Sequence, residues 1–194
     1  MRSAWLAASA GLIALQASGH GFLHEKIQEL TEEIARSPSS DAYYRRAELE
    51  RLHGDTQAAL SDFDEVIRRE PGRRDVDLGC ARTFEAAKDW SNALVRIDRF
   101  LAAQPEHGSA LVTKARALAA LQRPRDAVRA FDDAIKHHEQ PDPDLFVERA
   151  RAWQALGDEG VTRAVNSLEE GLQRIGPAVS LIEGAIRIET AGGR

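Results

Sequence analysis

Cysteine is almost absent from this sequence, which has a single one, Cys80, in 194 residues. An internal disulfide is therefore excluded, and no covalent cross-link within the chain can stabilise its fold. The cysteine stands beside Ala81 in an apolar helical pattern, where a buried thiol behaves as a small apolar group. We expect Cys80 to be buried; a disulfide-linked dimer or a reactive thiol is the alternative.

Basic residues are fewer than acidic ones, with 26 Lys and Arg against 31 Asp and Glu and a net charge of −5. This balance argues against a nucleic-acid partner, which would need a basic face. Hydrophobic residues make up 43% and charged residues 29%, as in folded rather than disordered proteins. The sequence also lacks a phosphate-binding glycine loop, a nucleophile elbow and an HExxH pair, so we predict neither enzymatic activity nor a cofactor.

Long hydrophobic runs are missing except at the beginning of the chain. There, Arg2 precedes an uncharged stretch over residues 5–17, and Ala17, Ser18 and Gly19 are the small residues that a signal peptidase needs. The stretch is shorter than the roughly 20 residues of a membrane-spanning helix. Residues 1–19 are therefore predicted to be a cleavable signal peptide, with an uncleaved anchor as the alternative. Export predicts a periplasmic or extracellular protein with no membrane span after signal removal.

The prolines that are present follow a regular period. Pro38, Pro71 and Pro105 are 33 and 34 residues apart, and each closes an apolar pattern of helical spacing. Residues 40–71 form the first unit, in which Gly54 separates two amphipathic helices. A fixed period of this length is typical of stacked helical repeats.

The same pattern begins again near residues 74, 108 and 143, with two extra residues near Glu159 in the last unit. A small residue recurs in the middle of each first helix, at Ala47, Ala81, Ala115 and Ala150. The second helices repeat Ala-x3-aromatic or a variant of it, as in Ala59/Phe63 and Ala127/Phe131/Ala134.

This pattern resembles the tetratricopeptide repeat family, whose unit is about 34 residues long. The resemblance implies an all-α, right-handed α-solenoid of antiparallel helix pairs that binds proteins. We expect four such repeats in residues 39–176, between an N-terminal capping helix in residues 20–38 and a C-terminal capping helix and tail in residues 177–194. The second capping helix carries apolar Val179, Ile182 and Ile186, which we expect to cover the last repeat.

In such a fold the first helix of each repeat lines the concave surface. The position after the small alanine holds one acidic and three basic residues, and the position four residues earlier is mostly apolar. The candidate partner-binding residues are Glu48, Arg82, Arg116 and Arg151 at the first position, and Tyr44, Leu78, Val112 and Val147 at the second. A row of guanidinium groups would bind an acidic peptide. Alternatively, each arginine pairs with an acid on a neighbouring helix, such as Glu85 or Glu148.

Two histidines, His20 and His24, flank the predicted cleavage point. A new terminal amine together with these imidazoles could chelate Cu(II) or Ni(II), although histidines near a terminus are more often idle. The sequence therefore predicts an exported scaffold or assembly factor that holds a protein or peptide, acidic if the arginines contact it. A periplasmic copper- or nickel-handling accessory protein is the alternative.

Overall fold

The computed structural model describes residues 21–191, which form ten α-helices and no strand. The prediction of an all-α fold of paired helices is confirmed. The predicted signal peptide (residues 1–19), His20 and residues 192–194 lie outside the described residues. The helices are α1 (residues 21–36), α2 (Ser40–His53), α3 (Thr56–Arg69), α4 (Asp75–Ala86), α5 (Trp90–Ala103), α6 (Gly108–Ala120), α7 (Pro124–Lys136), α8 (Pro143–Gln154), α9 (Asp158–Ile175) and α10 (Val179–Ala191).

The turn inside each repeat depends on one residue in the left-handed region. These residues have φ values of 94°, 59°, 58° and 80° and recur every 34 or 35 residues, at Gly54, Lys88, Gln122 and Gly157. A left-handed residue ends one helix and reverses the chain into the next. Asp55 then starts α3 by accepting a hydrogen bond from the backbone N–H of Ala58 at 2.9 Å. The left-handed turn conformation therefore recurs with the same period as the apolar pattern.

The described chain forms two compact units, the first ending at Ala87 and the second beginning at Lys88. In the first unit, α2 packs against α3, and α3 packs against α4. Ala47 and Phe63 are fully buried in its core, and Cys80 is 1% exposed, as expected for a buried thiol. A larger residue in place of Ala47 would separate α2 from the helices it contacts, at about 1–3 kcal/mol.

In the second unit each helix from α5 to α9 packs against the next along the chain. Phe131, Phe146 and Leu168 are among its largest fully buried side chains. The last repeat contains two extra residues, and its second helix, α9, is 18 residues long. Its first turn lies so close to α8 that a Cβ on Gly160 would be 1.8 Å from the Trp153 carbonyl oxygen, which explains why this position is a glycine.

The C-terminal helix α10 packs against α8 and α9, but not with the residues that we expected. Val179, Ile182 and Ile186 are 73%, 44% and 55% exposed, whereas Leu181 and Ile188 are 0% and 5% exposed. The expectation for the first three residues is therefore wrong. The helix carries two apolar stripes, and the stripe with Gly184 in it packs because glycine lets α10 approach Leu168 closely.

None of the helices in residues 21–191 has both the length and the hydropathy that a bilayer-crossing segment requires.

Candidate functional site

The first helices of the repeats, α2, α4, α6 and α8, carry all eight candidate partner-binding residues. Four of them, Tyr44, Glu48, Leu78 and Arg82, belong to the first unit. The other four, Val112, Arg116, Val147 and Arg151, belong to the second. Of the three arginines expected to form a row, Arg82 belongs to the first unit, and Arg116 and Arg151 belong to the second.

In the first unit, Tyr44 is half-buried among aromatic and charged groups. Its ring meets the Phe63 ring edge-on at 5.8 Å, and the Arg73 guanidinium lies over it at 4.2 Å. Burial raises the pKa of the Tyr44 phenol to about 12, and the nearby carboxylates of Asp75 and Glu48 act in the same direction. The phenol therefore stays neutral over the physiological range.

Glu48 lies where α2 meets α4. Arg51 Nη2 donates to its carboxylate at 2.9 Å, so its charge is already balanced within the helix. Gly79 on α4 makes this approach possible: a Cβ there would lie 2.9 Å from Glu48 Oε1 and 2.4 Å from Phe63 Cζ. Leu78 and Arg82 flank this glycine on α4 and are both partly buried. Glu48 thus serves the packing of α2 on α4 and leaves little negative charge for a partner to meet.

In the second unit, Arg116 and Glu148 form a two-pronged ion pair between α6 and α8. Arg116 Nε donates to Glu148 Oε2 at 2.9 Å, and Nη2 donates to Oε1 at 2.9 Å. This is one of the pairings that the sequence offered as an alternative to partner binding. A partner carboxylate would have to compete with Glu148 for Arg116.

Arg151 lies one turn after Glu148 on α8 and differs from Arg116 in its surroundings. Its side chain is exposed, and it makes no ion pair with any other residue of the part of the chain that the structure describes. No carboxylate of the described residues therefore holds its guanidinium in an ion pair. Among the candidate residues, Arg151 is the one best placed to meet an incoming carboxylate.

An apolar cavity of about 390 Å³ adjoins Arg151. Its walls include Trp90, Phe131 and Pro124, and four alanines leave the space open: Ala119, Ala120, Ala152 and Ala155. Arg116, Glu148 and Arg151 form its charged side. A cavity of this composition is suited to one apolar side chain whose neighbour carries a charge.

The apolar floor expected on the second unit is mostly covered. Val112 and Val147 are each 9% exposed. Val147 instead contributes to a smaller cavity of about 180 Å³, which it lines together with Arg151 and residues of α10. The equivalent position on α10 is Ile182, which is 44% exposed. Val112, Val147 and Ile182 are spaced by 35 residues each.

Two arginines that sequence reasoning missed have structural roles. Arg46 binds both carboxylate oxygens of Asp62 at 2.7 Å and donates to Thr31 Oγ1 at 3.0 Å, so it joins α1, α2 and α3. The hydrogen bond to Asp62 raises the pKa of Arg46. Arg149 joins α7, α8 and α9. Each stands directly before a small alanine, Ala47 or Ala150, on the packed side of its helix, which is the signal that could have revealed it.

The histidine-based metal site stays a prediction, since His20 lies outside the described residues. His24 is exposed on α1, and its ring centre is 6.5 Å from that of His53. Within residues 21–191, no group of three or more His, Cys, Asp and Glu side chains is arranged to hold a metal ion.

Comparison with known proteins agrees with this architecture. A family model described as tetratricopeptide repeat matches residues 41–72. A search of curated protein sequences found no significant match. Among solved structures, MamA from Desulfovibrio magneticus RS-1 is similar with a TM-score of 0.72 at 16% identity, covering 83% of this chain and 90% of that one.

Two further structures are similar to a comparable degree. YrrB, described as a TPR protein with an unusual peptide-binding site, has a TM-score of 0.69 at 14% identity and covers 84% of each chain. A thermophilic TPR protein from Thermus thermophilus has a TM-score of 0.61 at 14% identity, covering 94% of this chain and 96% of that one. At such low identities, these likenesses show the fold and not the function.

Proposed function

We propose that this chain, which resembles tetratricopeptide repeat proteins, is an exported scaffold or assembly factor that holds a protein or peptide partner on the first helices of its repeats. The observation that carries the proposal is Arg151, an exposed guanidinium beside an apolar cavity of about 390 Å³. The peptide-binding site in the description of YrrB supports the same use of this fold.

Two arginines of the second unit can bind a carboxylate of the partner, and one of them is more accessible than the other. Arg151 is available at once, since it has no carboxylate partner among residues 21–191. Arg116 is available only if the partner displaces Glu148. A bound carboxylate at Arg151 would form the two parallel hydrogen bonds that guanidinium groups favour. The partner segment is therefore acidic at the point where it contacts α8.

The first unit adds a mixed surface. Tyr44 and Leu78 provide apolar area, Arg82 provides a positive charge and Glu48 is balanced by Arg51. We propose these residues as a second contact region of lower charge. A neutral Tyr44 hydroxyl can donate a hydrogen bond to a partner carbonyl.

Export is part of the proposal and rests on residues 1–19, with Arg2 followed by an uncharged apolar stretch. The proposed location is the periplasm or the extracellular space. Cell fractionation with N-terminal sequencing of the purified protein tests it. A first residue at Ser18 or His20 is the expected result, and a chain that still begins at Met1 in the cytoplasm would contradict export.

Charge reversal at Arg151 tests the binding proposal. Partners are captured with the wild-type protein from its native cell envelope, and the affinity of the purified partner is then measured for Arg151→Glu. We expect at least about a tenfold loss, because a charge-assisted pair becomes a repulsion. Arg99→Glu is the matched control, since Arg99 is an exposed arginine of α5 that lines neither cavity. Equal affinity of the wild type and Arg151→Glu would contradict the proposal.

A further inference from the structure

A cavity of about 400 Å³ lies in the second unit where α7, the end of α8 and the first turns of α9 come together. The residues of α7 that line it have the spacing of one helical face: Arg125, Val128, Arg129 and Asp132. Trp153 of α8 and Arg163 of α9 also line it. This cavity shares no lining residue with the apolar cavity beside Arg151, so it is a separate feature of the second unit.

Basic residues outnumber acidic ones in this cavity, although the whole chain has a net charge of −5. Three arginines and two acids line it, namely Arg125, Arg129 and Arg163, and Asp132 and Glu159. One of the two acids is already engaged, because Arg149 Nη1 donates to Asp132 Oδ1 at 2.9 Å. The cavity therefore has an excess of positive charge, which favours an anionic ligand.

None of the three lining arginines forms an ion pair with another residue in the described range 21–191. Arg163 follows Glu159 by four residues, a spacing that favours an acid–base pair on a helix. Its guanidinium instead lies over the Trp153 ring, 4.7 Å from the ring centre. Arg125 and Arg129 are also four residues apart, so two like charges are neighbours on α7. An anion bound between them would offset that repulsion.

We propose that this cavity binds the phosphate group of an organic ligand. A phosphate monoester carries a charge of about −1.5 to −2 and three terminal oxygens, so it can accept hydrogen bonds from more than one guanidinium. A carboxylate has two oxygens, which match the fork of one guanidinium. Trp153 and Leu156 provide an apolar wall for the organic part of the ligand. The site goes beyond the proposed partner surface and does not depend on it.

Glycerol phosphate is the soluble probe, titrated into the whole chain by calorimetry in a chloride buffer of low ionic strength. We expect binding that weakens as salt is added. The indole N–H signal of Trp153, assigned with Trp153→Phe, should shift during the titration because Arg163 lies over this ring. Glycerol should not bind, and acetate at the same ionic strength should bind at least about tenfold more weakly than glycerol phosphate.

Three variants assign the binding to the arginines. The double variant Arg125→Gln with Arg129→Gln should bind at least about tenfold more weakly, because hydrogen bonds to a charged group are lost. Arg129→Lys keeps the charge and should lose less affinity than Arg129→Gln. Arg99→Gln is the matched control, since Arg99 is an exposed arginine of α5 outside the cavity, and it should bind as the wild type does. All these positions are exposed, and circular dichroism checks that each variant folds.

A phosphate monoester can come from a soluble metabolite or from a lipid headgroup, and vesicles separate the two sources. Sedimentation with phosphatidylcholine vesicles, with and without phosphatidic acid, provides the second arm. Binding of glycerol phosphate assigns a soluble ligand. Binding only of the vesicles that contain phosphatidic acid, lost in the double variant, assigns a lipid headgroup.

The proposal is overturned if neither probe binds, if acetate binds as tightly as glycerol phosphate, or if the double variant binds as the wild type does. An equal loss in Arg99→Gln would also overturn it, because the attraction would then come from the whole surface. Arg151→Glu should bind glycerol phosphate normally, since Arg151 lies outside this cavity. Failure of the phosphate site would therefore leave the proposed function intact.

Discussion

The two units use an arginine at the same repeat position in opposite ways. Arg46 in the first unit and Arg149 in the second each precede the small alanine of a first helix. Arg46 binds Asp62 with both oxygens at 2.7 Å. Arg149 binds Asp132 at 2.9 Å and Glu170 at 2.5 Å, and it also donates to Ser167 Oγ.

The difference lies in which partner is buried. In the first unit the acid is buried, since the Asp62 side chain is 7% exposed and the Arg46 side chain 20%. In the second unit the base is buried: the Arg149 side chain is 8% exposed, while those of Asp132 and Glu170 are 52% and 48% exposed. The lesson is that the cost of losing an arginine depends on the group left behind, because a half-exposed carboxylate can be hydrated and a buried one cannot.

Replacing each arginine by methionine, in two separate variants, tests this comparison. Of the predictions made here, Arg46→Met should have the largest effect on stability. Arg46→Met leaves a buried carboxylate without a counter-charge and should lower the free energy of unfolding of the first unit by about 3–5 kcal/mol. Arg149→Met leaves two hydrated carboxylates and keeps most of the side-chain volume, so we expect a loss within about 2 kcal/mol.

Hydrogen exchange measured by mass spectrometry can assign each loss to its own helices, which matters because stacked repeats need not unfold as one unit. Arg46→Met should increase exchange in α1 to α3, and Arg149→Met should increase it slightly in α7 to α9. A larger effect for Arg149→Met would show that burial of the acid is not what decides the cost.

The turns inside the repeats also differ between the two units, and variants there should change the free energy of unfolding by a smaller amount. Gly54 in the first unit and Gln122 in the second both have positive φ, 94° and 58°. A side chain in this region is strained, so Gln122→Gly should raise the free energy of unfolding by about 0.5–1 kcal/mol. Gly54→Ala should lower it by a similar amount, and solely through the backbone, since nothing lies within 4 Å of the added Cβ.

Denaturant titration of the two turn variants provides the measurement, with Gly54→Asn as control. Asparagine tolerates the left-handed region better than alanine does. Gly54→Asn should therefore lower the free energy of unfolding less than Gly54→Ala. A destabilised Gln122→Gly would mean that the glutamine side chain makes up for its strained backbone.

The last prediction concerns Tyr44, the one ionisable residue in a row that is otherwise Leu78, Val112 and Val147. Its pKa is raised to about 12 in the folded chain, against about 10 in the unfolded one. Its contribution to stability is therefore complete below about pH 10 and is lost as the pH rises towards 12. Ultraviolet titration of Tyr43→Phe, which leaves Tyr44 as the only tyrosine, should give a midpoint near 12; one near 10 would show that the ring is not buried.

Most of the repeat architecture could be predicted from sequence because it is a local, periodic property. The turn at Gly54, the closing Pro71 and the small Ala47 each follow from backbone or packing chemistry within about 34 residues. The site could be predicted less well. The sequence offered two partners for Arg116, a peptide carboxylate or an acid of a neighbouring helix, and the choice of Glu148 depends on how α6 and α8 come together.

The helix α10 shows most clearly which features follow from the sequence and which depend on the tertiary structure. Its sequence determines that it is helical and apolar on two sides, since Val179, Ile182 and Ile186 form one stripe and Leu181, Gly184 and Ile188 form another. Only the tertiary structure decided which stripe packs, because Gly184 allows a close approach to Leu168 that no periodicity encodes. Period and composition thus determined a chain of stacked helix pairs, whereas the burial of Asp62, the pairing of Arg116 and the outward face of α10 arise from contacts between residues far apart in sequence.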